Sequence, residues 1–450
     1  FLMYKISIII PCLNMDNYIE QCVESILNQT FRDLEVLIID AGSIDGTLEK
    51  LQRYSNQDKR VQVIHSQKKS YGYQVNLGIT RATGTYIGIV DADDEIAKDM
   101  YEVLYRTALE SDADYVKGVA RGFYTLCNGE RVDFPIMPFE SGEYGNGIEI
   151  IPQKTPSLFT KDNFLWYGLY KSNFLKQIKL HESPGAAFQD LGALFQIQTR
   201  AKKAVYIDKL VYYYRQDNVN ASIHNPKGFR FIADEYIYAK QFLAGLPQEW
   251  YTAFYRKQFL HFMDRMYVMA ASGNFWENTL ADMLAIAKIL REKNVEGVLN
   301  KKDLTEEQWE DLQLLWESPY QLYQKYRKVI EPGETALKNV IRHLGDQQGV
   351  IFGSGNFGTF VHTQLLYRGY RNVVAYCDNN IKAQGKTLYG AKVRSPQQTV
   401  QKFPYARYII ASKHYAREMQ KQLEYMGVEV NDILHYSSGT DIRLFNSVLV

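Results

Sequence analysis

The 450-residue chain has few cysteines, no excess of charge of either sign and no long apolar run. Its four cysteines (Cys12, Cys22, Cys127 and Cys377) lack the spacing of a metal site, and they favour a reducing cytoplasm. A formal net charge of +1 argues against a protein that binds nucleic acid by electrostatic attraction. No apolar stretch approaches the length that crosses a bilayer, so the sequence predicts neither a transmembrane helix nor a signal peptide.

The first half of the chain alternates short apolar runs with segments whose apolar residues recur at helical spacing. Residues 6–14 predict a short buried strand halted by Pro11, and residues 17–27 carry apolar side chains at helical spacing. Further strands are predicted at 34–39 and 61–64, with helical stretches after each. This alternation predicts a mostly parallel, doubly wound α/β sheet.

The most informative segment is an apolar run, residues 86–90, that ends on Asp91, Asp93 and Asp94. A buried strand that ends this way delivers acids to the carboxyl edge of a sheet, where open α/β sheets bind their ligands. Hard cations such as Mg²⁺ or Mn²⁺ prefer carboxylate oxygens and share them with substrate phosphates. A solvated acidic turn is the alternative for this motif taken alone.

Four strings together resemble the amino-terminal half of a family 2 glycosyltransferase with the GT-A fold. They are SIIIPCLN (7–14), EVLIIDAGSIDGT (35–47), ATGTYIGIVDADD (82–94) and the pair Gln189–Asp190. The resemblance implies inverting transfer of a sugar from a nucleotide-diphospho-sugar donor to a glycan or lipid-linked acceptor, with divalent Mn or Mg. It further implies bacterial cell-surface polysaccharide synthesis in the cytoplasm, with peripheral contact at the inner membrane face as an option. The sugar, the linkage and the oligomeric state are left open.

The resemblance assigns roles to the acidic residues. Asp93 is expected to bind the metal, and Asp91 to reach the ribose or share the metal through water. Asp94 is expected either to hold the loop or to approach the sugar. Asp190 is expected to be the general base that takes the acceptor proton, although a helix N-cap is the alternative. Gln189 stands where the family usually has a glutamate, which puts that pair's usual hydrogen bonding in doubt.

The resemblance also implies donor contacts nearer the amino terminus. Asp40 ends the second strand and is expected to face the nucleobase or ribose. Ala41 replaces the second aspartate of the commoner family pattern, so the identity of the base stays open. Pro11 and Asn14 are expected to shape the loop under the nucleotide.

Phosphate contacts are harder to assign, because Val75 stands where many relatives carry an arginine. Lys68, Lys69 or Arg215 are the candidates to replace it. Arginine suits a diphosphate because its planar fork offers several donors. A solvated surface arginine is the alternative for Arg215.

Acceptor or phosphate contacts are expected from residues near the end of this half. Trp166 is predicted either to line the acceptor pocket or to pack in the core. Ser222 and His224 follow Arg215 in a string that resembles the family's closing segment. For His224 a role outside metal and acceptor binding is favoured.

The strand signals vanish from about residue 226, and helical periodicity continues to about 332. This middle part is predicted to pack as a helical layer. Binding to a membrane surface is the less favoured alternative. Glu331-Pro-Gly333 predicts a break and a boundary. The sequence therefore predicts a GT-A domain (3–225), a helical linking region (226–332) and a small Rossmann-like α/β domain (333–450).

The last part carries its own motif. Gly353, Gly355 and Gly358 lie between a predicted strand and a predicted helix, and Asp378 ends the next strand. This is the context of a Rossmann-type nucleotide fingerprint. A second nucleotide site and a scaffold role are both open, as is a non-catalytic scaffold role for the whole chain. An NAD-linked sugar-modifying activity is disfavoured, since no Tyr-x-x-x-Lys pair follows the loop.

Overall fold

A computed structural model describes residues 4–125, 131–136, 147–162, 164–183, 185, 187–218, 228–412 and 415–436. The chain divides into two compact units. The first comprises residues 1–122, 135–265 and 276–319, and the second comprises residues 123–134, 266–275 and 320–450.

The first ten strands form one mixed sheet in the order β3-β2-β1-β4-β9-β6-β10-β5, with β7 beside β6 and β8 beside β10. The bounds are β1 (Ile6–Cys12), β2 (Leu34–Asp40), β3 (Val61–His65), β4 (Tyr86–Ile89), β5 (Glu95–Ile96), β6 (Tyr115–Thr125), β7 (Arg131–Ile136), β8 (Ile148–Ile150), β9 (Gly168–Lys171) and β10 (Ala204–Arg215). Strands β3, β2, β1 and β4 pair in parallel, which confirms the predicted strand–helix alternation. Strand β9 runs antiparallel to β4 and to β6.

Helices lie on both faces of this sheet, and further helices of the first unit pack on those helices. The bounds are α1 (Ile19–Leu27), α2 (Thr47–Gln57), α3 (Tyr71–Arg81), α4 (Met100–Ser111), α5 (Ser157–Lys161), α6 (Ser172–Leu175), α7 (Asp190–Arg200), α8 (Gly228–Lys240), α9 (Gln248–Ala271), α10 (Leu280–Val295) and α11 (Glu306–Glu317). Successive residues of β1 point to opposite faces, so Ile8 packs in the core with Val23 of α1 while Ile9 packs with Val75 and Ile79 of α3. Burial on both faces explains why these strands are continuous apolar runs.

The prediction that Pro11 halts the first strand is wrong, because β1 continues through it to Cys12. Odd-numbered residues of β1 point their backbone groups toward β4, as the bond from the Val90 N–H to the Ile9 carbonyl indicates. The β1–β4 ladder ends at the pair Ile9–Ile89. Pro11 therefore lies just past the end of the β1–β4 ladder, where its missing N–H interrupts no hydrogen bond within the ladder.

The second unit contains a six-stranded sheet in the order β13-β14-β12-β11-β15-β16. Its strands are β11 (Gly349–Phe352), β12 (Val373–Cys377), β13 (Thr387–Leu388), β14 (Ala391–Arg394), β15 (Arg407–Ile410) and β16 (Ile433–His435), and all pairs are parallel except β13–β14. Its helices are α12 (Pro319–Leu344), α13 (Asn356–Tyr367), α14 (Pro396–Lys402) and α15 (Ala416–Tyr425).

The break predicted at 331–333 is also wrong, because α12 runs without interruption from Pro319 to Leu344. A proline inside a helix removes one backbone hydrogen bond. That cost is offset by burial along one face of the long helix, where Leu322, Ile330 and Leu337 are inaccessible to solvent. The helices predicted for the linking region do form, and they are divided between the two units. Among the helices described, none has the length and apolar character needed to cross a membrane.

Candidate active site

The carboxyl ends of β1, β2 and β4 meet at one edge of the first sheet, and the loop after β4 carries Asp91, Asp93 and Asp94. We call residues 91–94 the acidic loop. The Oδ1 atom of Asp91 is buried and has no hydrogen-bond partner among the described residues. Burial, and then the neighbouring charge of Asp93, raises the pKa of Asp91 to about 8, while a hydrogen bond from Tyr71 opposes this shift. Asp91 therefore has an oxygen available for a ligand.

Asp93 is the second acid of the loop, and its contacts come from the end of β10. Its Oδ2 accepts a hydrogen bond from the Asn218 side chain at 2.7 Å, and its backbone carbonyl accepts one from Nε of Arg215 at 2.7 Å. Burial raises the pKa of Asp93, and the bond from Asn218 partly offsets that rise.

Asp94 is fully buried and both of its carboxylate oxygens are bonded within the protein. Oδ2 accepts from the Tyr212 hydroxyl at 2.7 Å, and Oδ1 accepts from the Arg215 backbone N–H at 2.7 Å. Burial raises its pKa well above the usual range, and the charges of Asp93 and Asp91 add to the rise. Of the two roles predicted for Asp94, these contacts correspond to holding the loop.

Arg215 is buried, and this corrects the solvated surface arginine considered as an alternative. Besides Asp93, its guanidinium contacts Asp217 at 3.3 Å, Gln21 and Glu95, and it lies over the ring of Tyr18. A buried guanidinium with two carboxylates beside it fixes the end of β10 against the acidic loop. The phosphate contact predicted for Arg215 stays a prediction.

The loops after β1 and β2 are tied together beside the acidic loop. The Asp40 carboxylate accepts hydrogen bonds from the Gly42 N–H and from the N–H and hydroxyl of Ser43. Asn14 has a left-handed backbone (φ 54°) and its side chain accepts from the Ile44 N–H at 2.9 Å. Asn14 therefore joins the two loops, and Asp40 contacts its own loop. The contacts predicted for this region with the nucleotide stay predictions.

Asp190 is the first residue of α7 and not its N-cap, which is Gln189. Burial raises the pKa of Asp190 to about 6, and the first of the groups that oppose this rise is the ammonium of Lys257. Asp190 is also one of the charges that raise the pKa values of Asp91 and of Tyr71. Two acids about a hundred positions apart in the sequence thus act on each other electrostatically at one site.

Gln189 anchors the backbone immediately before Asp190 through three hydrogen bonds of its side chain. Its carbonyl oxygen accepts a hydrogen bond from the Gly72 N–H at 2.7 Å, at the start of α3. Its amide nitrogen donates to the Ser183 carbonyl and hydroxyl, the latter at 2.6 Å. A glutamate could not donate those two bonds, so the departure from the family pattern gives this position a positioning role that depends on an amide.

Behind Asp190 lie charged residues that the sequence analysis missed. Lys117 of β6 donates to the Asp162 carboxylate at 2.6 Å, and both side chains are almost completely inaccessible to solvent. Lys257 of α9 donates to the backbone carbonyls of Phe159 and Asp162. Lysines are frequent on the exposed faces of amphipathic helices and strands, so no local pattern marks these two as buried.

The other residues predicted to bind phosphate or the acceptor lie in different environments. Lys68 forms an ion pair with Glu182 at 2.8 Å, and Lys69 is exposed. Trp166 is 4% exposed and stacks on Tyr212 at 4.2 Å between ring centroids, which matches the core alternative. The predicted residues Ser222 and His224 lie outside the described residues.

The donor set at the acidic loop fits a hard divalent cation. Asp91 offers a buried oxygen without a partner, and Asp93 adds a second carboxylate. Within the described part of the chain, no group of three or more His, Cys, Asp or Glu side chains is arranged to hold a metal by itself. Magnesium-type sites often take only one or two carboxylates and complete the shell with substrate phosphates and water.

The second unit holds the predicted glycine loop between β11 and α13. Gly353 has a left-handed backbone (φ 108°), and a Cβ on Gly358 would lie 1.8 Å from the Gly353 carbonyl oxygen, while one on Gly355 would contact nothing within 4 Å. Asp378 at the end of β12 accepts from the Ser354 N–H and hydroxyl at 2.7 and 2.6 Å. Gly353 and Gly358 are thus needed for the turn, Gly355 is not, and the acid closes the loop.

Comparison with known proteins agrees with this architecture. The profile "Glycosyl transferase family 2" matches residues 7–152, and the profile "C2185-like, N-terminal" matches residues 345–434. Glycosyltransferase GlyG of Streptococcus pneumoniae serotype 4 is 33% identical over 219 residues, which cover 47% of this chain and 70% of GlyG. The uncharacterized glycosyltransferase EpsJ of Bacillus subtilis is 29% identical over 245 residues, 53% of this chain and 68% of EpsJ.

Among solved structures, S. aureus TarS 1–349 in complex with UDP-GlcNAc superposes with a TM-score of 0.53 at 17% identity. The match covers 73% of this chain and 92% of that one. This likeness establishes a GT-A-like fold, and the identity and coverage of GlyG establish the family. With the strand-edge acids, the parallel sheet and these matches together, the chain belongs to glycosyltransferase family 2.

Proposed function

We propose that the chain transfers one sugar, with inversion, from a nucleotide-diphospho-sugar donor to a glycan or lipid-linked acceptor. The observation that carries this proposal is the convergence of the acidic loop with Asp190, because a displacement at the anomeric carbon needs both parts. Charge must be neutralised on the departing diphosphate, and a base must remove the acceptor proton.

Asp190 is the base in this proposal. A general base works best when its pKa lies near the working pH, and burial raises the pKa of Asp190 to about 6. The carboxylate accepts the proton of the acceptor hydroxyl as that oxygen attacks the anomeric carbon. Attack from the side opposite the nucleotide inverts the configuration at that carbon.

Asp91 and Asp93 would hold a divalent Mn or Mg ion together with the donor diphosphate. Such an ion supplies Lewis-acid stabilisation of the departing phosphate oxygens when it is bound. The chain's own contribution is to keep the two carboxylates in place before the donor arrives. The side chains of Asn218 and Arg215 do this for Asp93, the first by donating to its carboxylate and the second by donating to its backbone carbonyl.

The cellular setting proposed is the assembly of a bacterial cell-surface polysaccharide in the cytoplasm, at or near the inner membrane face. Relatives in S. pneumoniae and B. subtilis support a bacterial glycosyltransferase. The second unit, with its parallel sheet and glycine loop, is proposed to be a Rossmann-like module that takes no part in the transfer. The main rival is a non-catalytic scaffold with two nucleotide-binding folds.

The test measures nucleoside diphosphate released by the purified chain from UDP-GlcNAc, UDP-glucose, UDP-galactose and GDP-mannose, with Mn²⁺ or with chelator. We expect metal-dependent turnover of one donor. Asp190→Asn should lower kcat by on the order of 10²–10⁴ while the thermal stabilisation by nucleotide and Mn²⁺ persists. Asp93→Ala should remove both turnover and stabilisation.

Asp208→Asn is the matched control, because Asp208 is an exposed acid on β10 with no role in the site. It should behave as wild type. Release of no diphosphate from any of the four donors, or full activity in excess chelator, would contradict the proposal.

A further inference from the structure

The end of β10 supplies hydrogen bonds to each acid of the acidic loop. The Tyr212 hydroxyl accepts the Asp91 N–H at 3.1 Å and donates to Oδ2 of Asp94 at 2.7 Å. Three residues further on, Arg215 bonds Asp94 through its backbone N–H and Asp93 through its side chain. The loop conformation is therefore specified by a strand about 120 positions away in the sequence.

The Tyr212 hydroxyl joins two positions of the acidic loop through one oxygen atom. As acceptor it binds the backbone of the first acid, and as donor it binds the carboxylate of the last. Its ring cannot swing away, because it is fully buried and stacks on Trp166 at 4.2 Å with an interplanar angle of 26°. The hydroxyl is thus held at a fixed point behind the loop.

We propose that the Tyr212 hydroxyl is a positioning group that sets the geometry of Asp91 and Asp93 for the metal–diphosphate pair. This inference rests on the proposed function, since it assigns the acidic loop to that ligand. Tyr212 itself touches neither metal nor donor. It acts through the Asp91 backbone and through Asp94, whose side chain is unavailable to a ligand.

The physical reason is preorganisation. A metal site loses affinity when the groups that orient its ligands are removed, typically by about 10–100-fold. Tyr212→Phe keeps the ring and its stacking but removes both hydrogen bonds. The Asp91 N–H then loses its acceptor, and the buried Asp94 carboxylate loses a donor.

Tyr206 provides a matched control on the same strand. It is buried, and its hydroxyl donates to the buried Asp162 carboxylate at 2.7 Å, the same distance as in the Tyr212–Asp94 pair. Tyr206→Phe therefore removes a hydroxyl that serves a buried carboxylate without touching the acidic loop. Any general effect of losing such a bond on folding is common to both variants.

The experiment measures Mn²⁺ affinity from the electron paramagnetic resonance signal of free Mn²⁺, at saturating UDP and in parallel at saturating GDP. Circular dichroism and thermal unfolding confirm that each full-length variant is folded. We expect the Mn²⁺ dissociation constant of Tyr212→Phe to rise about tenfold or more, and that of Tyr206→Phe to stay within about twofold of wild type.

Equal dissociation constants for wild type and a folded Tyr212→Phe would overturn the inference while leaving the proposed function intact. An equal rise in both variants would also overturn it, since that would be a general stability effect. If wild type does not bind Mn²⁺ in the presence of UDP or of GDP, the proposed function fails at its metal step and the inference fails with it. Should Tyr212→Phe not fold, Tyr212→Leu, which also lacks the hydroxyl, replaces it in the same comparison, with Tyr206→Leu as its matched control.

Discussion

Removing the charge of Lys257 is the perturbation that tests the proposed base most directly. The side chain is buried, with the residue 1% exposed. Its ammonium donates to two backbone carbonyls, those of Phe159 and Asp162, and forms no ion pair within the described chain. Its charge therefore acts on carboxylates at longer range, and Asp190 is one of them.

The sign of the effect follows from the causes of the Asp190 shift. Burial raises the pKa of Asp190 to about 6, and Lys257 is the largest influence that lowers it. Burial likewise lowers the pKa of Lys257 to about 7, so this lysine is charged in the pH range where Asp190 titrates. Lys257→Met should therefore raise the pKa of Asp190 and move the acid limb of the rate profile to higher pH.

The magnitude can be worked out from these values. A nearby opposite charge typically shifts a carboxyl pKa by about 1–3 units. With a rise of about one unit, the ionised fraction of Asp190 falls from about a half to about a tenth at pH 6, where Lys257 is mostly charged. At pH 7 about half of Lys257 is already neutral, so the substitution changes the ionisation of Asp190 less there. The loss of activity should thus be about fivefold at pH 6 and smaller at pH 7.

The assay is the pH dependence of kcat/KM for donor hydrolysis between pH 5 and 8.5. The described groups whose charges interact with Asp190 are Asp91, Glu235, Tyr71, Tyr170, Lys117 and Lys257. Lys257→Arg keeps the charge and should keep the acid limb, and Lys257→Gln keeps a donor for the two carbonyls but should shift the limb as Lys257→Met does. Lys288→Met, at an exposed lysine of α10, is the control. An acid limb that does not move in folded Lys257→Met and Lys257→Gln would refute the reasoning.

Two further outcomes are expected. Gln189→Glu should lower the free energy of unfolding by about 1–3 kcal/mol, because the Ser183 carbonyl loses its donor and faces a carboxylate oxygen instead. Urea denaturation would measure this, and an unchanged midpoint would contradict it. Gly358→Ala should lower the melting temperature, because a Cβ there would lie 1.8 Å from the Gly353 carbonyl oxygen. Gly355→Ala places its Cβ in open space and should change the free energy of unfolding by less than about 0.5 kcal/mol. Both glycine variants should keep donor hydrolysis, and equal melting temperatures of Gly358→Ala and wild type would contradict the predicted clash.

The layout of the first sheet was predictable because its signals are local. An apolar run followed by acids places those acids at a strand end, and parallel strands bring their carboxyl ends to one edge. The predicted helix break at 331–333 is wrong because the effect that decides it is not local. The cost of Pro332 is local, but burial along the whole face of α12 is a tertiary effect that the local sequence does not contain.

The partners of the acids were not predictable. Tyr212, Arg215 and Asn218 lie 118 to 125 positions after the acids of the acidic loop that they bond. Arg215 has the chemistry of a phosphate ligand, and nothing in its neighbourhood in sequence indicates a buried residue that bonds the acidic loop. Only long-range pairing of β10 with β5 brings these groups together.

The acids at a strand edge divide into two kinds, and protein donors distinguish them. Asp94 and Asp40 have carboxylates bonded by backbone or hydroxyl donors of their own surroundings, so they shape loops. Asp91 has a buried oxygen that no described protein group bonds. A buried acceptor without a donor is costly unless something else bonds it, so Asp91 is the acid best suited to a ligand.

By the same criterion Asp378 of the second unit shapes its loop, because Ser354 and the Asn380 N–H bond both of its oxygens. The two strand edges therefore differ, because Asp91 at the first has a buried oxygen available to a ligand and Asp378 at the second does not.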